Sequence, residues 1–292
     1  MVKALSRVLF GTVACLSVGA IASPVHAAVF TPQNITFNTS NYKTYTGGSN
    51  GTFSVNNVSA AIAALQDSDS TSNVELWHST ENPTSNVGFS STLGNHNVTV
   101  QSVTVADWAV FGNQWLNDFI ASNSQMSSLW STLTPTLQLA ARSSITTSGL
   151  PSSGDPNVGS LTLDNVTGEL KLDLIGHLDL KPRILARQYS TGNSTWDSIL
   201  SGFARQTPGS IQASEIAKVT IGDSTYYAYG FNATSTGVST NDGSESYTGR
   251  YTWTKTLAVA PPPASTPEPS SVVGSVVIAG TLVALRKLKS VS

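Results

Sequence analysis

Over residues 169–180, Leu170, Leu172, Leu174, Gly176, Leu178 and Leu180 alternate with Glu169, Lys171, Asp173, His177 and Asp179, with Ile175 breaking the polar side. A period of two belongs to a β-strand, whose successive side chains point to opposite faces. The stretch therefore predicts one long strand, apolar on one face and solvated on the other. Leu161 and Leu163 supply a hairpin partner across the turn at 164–168,. A chain with this strand at its centre is restricted to architectures built on an antiparallel sheet.

Other segments fit that frame. Short strands are predicted at 34–37, 51–55 and 74–77, and a short helix at 59–65. A strand pair is predicted at 219–221 and 226–231 around 222–224, and a last strand over 247–257, where Tyr247, Tyr251, Trp253 and Leu257 alternate with polar residues,. Between them the period changes. Trp108, Phe111, Trp115, Leu116, Phe119 and Ile120 recur at spacings of three and four, so a helix carries them on one face,. Thr104 followed three residues later by Asp107 is its start signal. Met126, Leu129, Trp130 and Leu133 continue the pattern to Pro135, where Thr134 can cap a further helix,. Short helices are also expected at 196–203 and 211–217. The fold class is thus α+β: mainly antiparallel sheet, its ladders mostly local hairpins, with an inserted short-helix segment. An N-terminal signal helix and a C-terminal transmembrane helix flank it.

The chemistry-bearing side chains gather into no recognisable site. Glu169, Asp173, His177 and Asp179 would share a strand face, but residues two apart stand about 7 Å from each other and diverge, so they read as a solvated surface. His78 and His96 lack metal-ligand spacing to each other or to His177,. The 67–73 stretch begins like a calcium loop, but has no glycine at the sixth position and His78 where the closing glutamate belongs; it reads as a turn,. The 241–245 stretch is likewise a hairpin turn. Nucleophile elbow, phosphate loop and dinucleotide fingerprint are all missing from the sequence,. No catalytic residue, metal or cofactor is assigned, and the expectation is a protein that is not an enzyme. The aromatic helix has two readings: a core stripe, which helical spacing favours, or an exposed platform for sugar rings.

The two ends carry addresses. Lys3 and Arg7 precede an apolar run over 8–21, and small residues lead to a cleavage point between Ala27 and Ala28, the pattern of a secretory signal peptide,. The single cysteine, Cys15, leaves with it. Charged residues make up only 11% of the chain and the net charge is -2, so nothing attracts nucleic acid,. Near the other end, 261–263 is a run of prolines that stiffens into a spacer,. Pro267, Glu268 and Pro269 follow, then an apolar stretch over 272–285 and the basic residues Arg286, Lys287 and Lys289. A helix over that stretch would be about 21 Å long, shorter than a ~30 Å hydrocarbon core, with the basic residues snorkelling at the cytoplasmic side.

This order of parts resembles the PEP-CTERM sorting signal of Gram-negative exopolysaccharide producers. The resemblance implies recognition by exosortase, a membrane cysteine protease thought to cut near the motif and release or transfer the exported domain. Asp107-Trp108, the 114–119 segment, the 168–179 strand and the 211–219 segment are also similar to uncharacterised PEP-CTERM proteins of photosynthetic bacteria, which suggests one domain between the signals. The expected organisation is a signal peptide at 1–27, an exported domain at 28–260 and a Pro-rich linker with the motif at 261–270. A transmembrane sorting helix at 271–285 and a basic cytoplasmic tail at 286–292 complete it. The expected partners are signal peptidase and exosortase during processing, the membrane through the C-terminal helix, and extracellular polysaccharide. The protein would rest briefly in the inner membrane and then reach the envelope or the exterior, with a structural or adhesive role in surface polysaccharide or biofilm. A secreted glycan-binding module is the alternative.

Overall fold

A computed structural model describes residues 29–48, 50–67, 69–150, 152–238 and 247–258. The signal peptide, the 241–245 turn, the linker, the sorting motif, the C-terminal helix and the basic tail lie outside the described residues.

The first part of the chain contributes β1 (Val29–Phe30), β2 (Gln33–Phe37), β3 (Tyr42–Tyr45), β4 (Phe53–Val55), α1 (Val58–Gln66), β5 (Asn73–Leu76), β6 (Gly88–Leu93) and β7 (His96–Gln101). Three helices follow: α2 (Val105–Ser122), α3 (Ser124–Thr132) and α4 (Pro135–Ser148). The rest comprises β8 (Asn157–Asp164), β9 (Glu169–Gly176), α5 (Lys181–Leu185), α6 (Ser194–Gln206), β10 (Ala217–Ile221), β11 (Ser224–Ala228), β12 (Thr234–Ser235) and β13 (Gly249–Thr256).

The strands make two antiparallel sheets rather than one. The larger runs β12-β13-β9-β8-β5-β3-β4, and β1 pairs with the far part of β8; the smaller runs β11-β10-β7-β6-β2. The expected hairpin forms between β8 and β9, where Leu161 faces Leu172 and Leu163 faces Leu170. Their apolar face meets Val98, Val100, Val219 and Phe89 of the smaller sheet in one core, which α1 joins through Ala61, Ala64 and Leu65. The result is a sandwich with helices. Its ladders are not mostly local: β5 pairs with β8, β7 with β10 and β9 with β13, each across a long stretch of chain. Hydrophobic faces select partners by burial, and neither face of β9 could be covered by its hairpin neighbour alone.

The helices form a second core at one end of the sandwich. Trp108, Phe111, Trp115, Leu116, Phe119 and Ile120 are all buried there against Ile145, Trp196, Phe203 and Ile211. Helix α3 starts on the Asn123 side chain, which accepts from the backbone N–H of Gln125 and Met126, and α4 on Thr134, with Pro135 in its first turn,. The aromatic stripe is core.

Three expectations need correction. The alternating strand ends at Gly176 instead of reaching Leu180, because Leu178 N–H turns to the Thr248 hydroxyl at 2.9 Å and Pro182 opens α5,. Its polar face is solvated only at the Glu169 end: Asp173 and His177 are buried, and Ile175 packs with Tyr45 and Tyr247 in a small cluster of its own. Finally, 211–216 is irregular rather than helical, and Ala217 already belongs to β10. There the backbone bonds reach other segments, Ser214 N–H to the Gly230 carbonyl and Ile216 N–H to that of Ser153. Tertiary pairing overrides local helix propensity.

Candidate functional site

Five backbone segments arrive at the end of the sandwich that faces the helices. They are the end of β5 with the loop after it, the loop before β8, the segment before β10, the start of α5 and the chain that follows α5. Between them they bring Glu75, Glu81, Asp155, Glu215, Arg183 and Tyr189 within electrostatic reach of one another.

Asp155 is 6% exposed and its Oδ1 has no hydrogen-bond partner. Asn157, 5% exposed, donates from its backbone N–H at 3.0 Å and from Nδ2 at 3.2 Å, both to Glu215 Oε2. Its own Oδ1 has no partner. Glu215 keeps part of its surface open to solvent, although protein surrounds its carboxylate. Burial pushes the Glu215 carboxyl up to about 8, with the Asn157 bonds pulling the other way and the charges of Glu75 and Glu81 adding to the rise. Asp155 is raised well above the usual carboxylate range, first by burial and then by the charges of Glu215, Glu81 and Glu75,.

Two cations stand nearby. Lys43 pairs with Glu75 at 2.8 Å, and Arg183 Nη2 lies 3.9 Å from Glu81 Oε2. Arg183 Nε has no hydrogen-bond partner, and neither cation forms an ion pair with Asp155 or Glu215 among the described residues, so a proton or an added positive charge can neutralise the two acids,. Chemically, the pair can hold a proton well above the pH at which an exposed acid would lose it. Among the described residues, no three His, Cys, Asp or Glu side chains gather to hold a metal by themselves.

The carboxylates singled out in the sequence serve other ends. Asp173 accepts from the hydroxyls of Ser160 at 2.8 Å and Thr252 at 2.5 Å and lies 3.5 Å from Lys171, which ties three neighbouring strands together. Asp179 accepts from the N–H groups of Lys181 and Ile211, both at 2.9 Å, closing the corner into α5. Glu169 stays on the exposed end of β9. His78 and His96 sit apart on turns and strand ends. Asp67 and Asp69 cap their own turn, Asp69 taking the Thr71 N–H at 2.8 Å. Ala27 and Ala28, the Pro267, Glu268 and Pro269 motif, and Arg286, Lys287 and Lys289 all lie outside the described residues.

The Asp155–Glu215 pair did not emerge from the sequence reading, though one signal for it exists. Ile211, Ala213, Ala217, Val219 and Ile221 keep a period of two, and Glu215 falls in phase with them,. A carboxylate on the apolar beat of a strand pattern is a buried carboxylate. The 211–217 helix expectation hid that beat. Among the described residues no helix is long and apolar enough to cross a membrane. Searches against protein-family models, curated proteins and solved structures give no match to this chain.

Proposed function

We propose that this protein is exported, trimmed at both ends by signal peptidase and exosortase, and serves as a structural or adhesive component of the cell envelope or of extracellular polysaccharide. The observation that supports this reading most directly is where the described chain starts and stops. Val29 pairs with Asp164, and Leu257 donates its N–H to the Gly168 carbonyl at 2.8 Å. Asp164 and Gly168 close one turn, with Gly168 N–H on the Asp164 carbonyl at 2.9 Å. Both ends therefore leave from one pole.

That pole lies at the far end of β8 from the helices, about 25 Å along an eight-residue strand,. A signal peptide ending at Ala27 and a proline spacer beginning at 261 would hold the domain by this pole and turn the helical end outward. The glycan-module alternative rested on an exposed aromatic face, and Trp108 and Trp115, each 2% exposed, are core residues.

Fractionation of native cells tests the proposal. The wild-type domain is expected in the envelope or medium, while a chain carrying Pro267→Ala, Glu268→Ala and Pro269→Ala is held in the inner membrane. Wild-type protein recovered from the cytoplasm overturns it.

A further inference from the structure

We propose that Asp155, Glu215 and the side-chain oxygen of Asn157 form a binding site for a hard divalent cation of the calcium class. The site lies at the junction between the sandwich and its helical end, and the inference is independent of how the chain is sorted.

The donors are oxygens of the right kind. Calcium takes carboxylate, amide and backbone carbonyl oxygens at about 2.3–2.6 Å and tolerates irregular geometry, so a site need not be built from acids alone. Asp155 Oδ1 and Asn157 Oδ1 are acceptor atoms in residues 6% and 5% exposed, and neither receives a hydrogen bond. The Asn157 amide is anchored by its Nδ2 bond to Glu215 Oε2 at 3.2 Å, and its oxygen is left without a donor. Asn157 engages Glu215 Oε2, so Oε1 is the remaining oxygen of that carboxylate.

Charge points the same way. Glu75 and Glu81 add negative potential; Lys43 pairs with Glu75 at 2.8 Å, and Arg183 reaches Glu81 at 3.9 Å. Part of Glu215 is open to solvent, which provides a path of entry. A cation here would cross-link the loop before β8 to the segment before β10, and so tie the larger sheet to the smaller. Protons and a cation compete for the same carboxylate oxygens, so affinity rises with pH.

Terbium luminescence on the full-length chain reads this out. Tyr189 feels the charges of Glu215, Asp155 and Glu81 and can act as sensitiser. The expected result is sensitised emission that calcium displaces, that strengthens from pH 6 to pH 8.5, and that weakens at least about tenfold in Asp155→Asn/Glu215→Gln. Both replacements keep the shape of the protonated acids, and circular dichroism checks that the double variant folds. Should it fail to fold, Glu215→Gln alone is read in the same assay and is also expected to bind at least tenfold more weakly. Emission that no variant alters, or no sensitised emission at millimolar terbium, overturns the proposal and leaves the pair as a proton-sharing contact.

Discussion

The Asp107 carboxylate, at the start of α2, lies 2.8 Å from Lys218 Nζ on β10, and this ion pair fastens the helical end to the smaller sheet. Asp107 also accepts from Thr104 N–H at 2.8 Å, the Thr104 hydroxyl at 2.9 Å, Asn86 Nδ2 at 2.8 Å and the Tyr227 hydroxyl at 3.2 Å. The capping signal legible in the sequence is thus also an anchor between helix and sheet. Burial alone would raise this carboxyl, but the bonds from Lys218, Thr104 and Asn86 outweigh it and hold it below the usual range.

Asp107→Ala is expected to cost about 3–5 kcal/mol, because it leaves Lys218 and the α2 N-terminus without their acceptor. Lys218→Met should cost less, about 1–2 kcal/mol, since the hydroxyl and amide donors remain. With the folded carboxyl depressed, its contribution is full above the unfolded value near 4 and is lost as pH falls through the folded one. Urea unfolding at pH 7 and pH 3 measures both effects, and the difference between wild type and Asp107→Ala should shrink in acid.

Glu215 works in the opposite direction. Its folded carboxyl is pushed up to about 8, so the folded state binds more protons than the unfolded one across the interval between the two values. Stability measured without divalent ions should therefore be greatest below about pH 4.5 on this group's account, decline as pH rises toward 8, and level off above it. Glu215→Gln, which cannot ionise, should flatten that decline by about 1–3 kcal/mol. Chemical denaturation from pH 5 to pH 9 in chelator measures the slope.

Gly149, at the end of α4, has φ +69, and a Cβ there would stand 2.5 Å from Trp108 Cδ1. The side chain beneath it is the wall of the helical core. Gly149→Ala combines backbone strain with a clash and should cost about 2–4 kcal/mol, lowering Tm in calorimetry.

Trp115 stacks on Phe119 at 5.2 Å between ring centroids and meets Trp108 edge-on at 5.5 Å. Trp115→Ala should cost about 3–5 kcal/mol through the cavity it leaves. Trp115→Phe should cost much less than the alanine change, because the indole N–H has no partner to lose,. Comparing the two unfolding midpoints checks this.

Much of the fold was legible because its signals are local. The β8–β9 hairpin follows from leucine alternation, and α2 follows from aromatic spacing and the Thr104–Asp107 pair. What pairing does over long distances was not legible. The sequence alone does not say that β10 joins β7, or that a second sheet exists to cover the leucines. The same gap explains Asp173, which looks like a surface acid on an isolated strand and becomes buried once β13 brings Thr252 beside it. It also explains the Asp155–Glu215 pair, whose members are 60 positions apart and meet only when β8 and β10 are placed.

Mass spectrometry of the termini of native protein is the most direct test of trimming at both ends of the chain. The expected species, from the envelope or medium, begins at Ala28 and ends near Pro267. A chain recovered only with Met1 and Ser292 both intact would contradict the account.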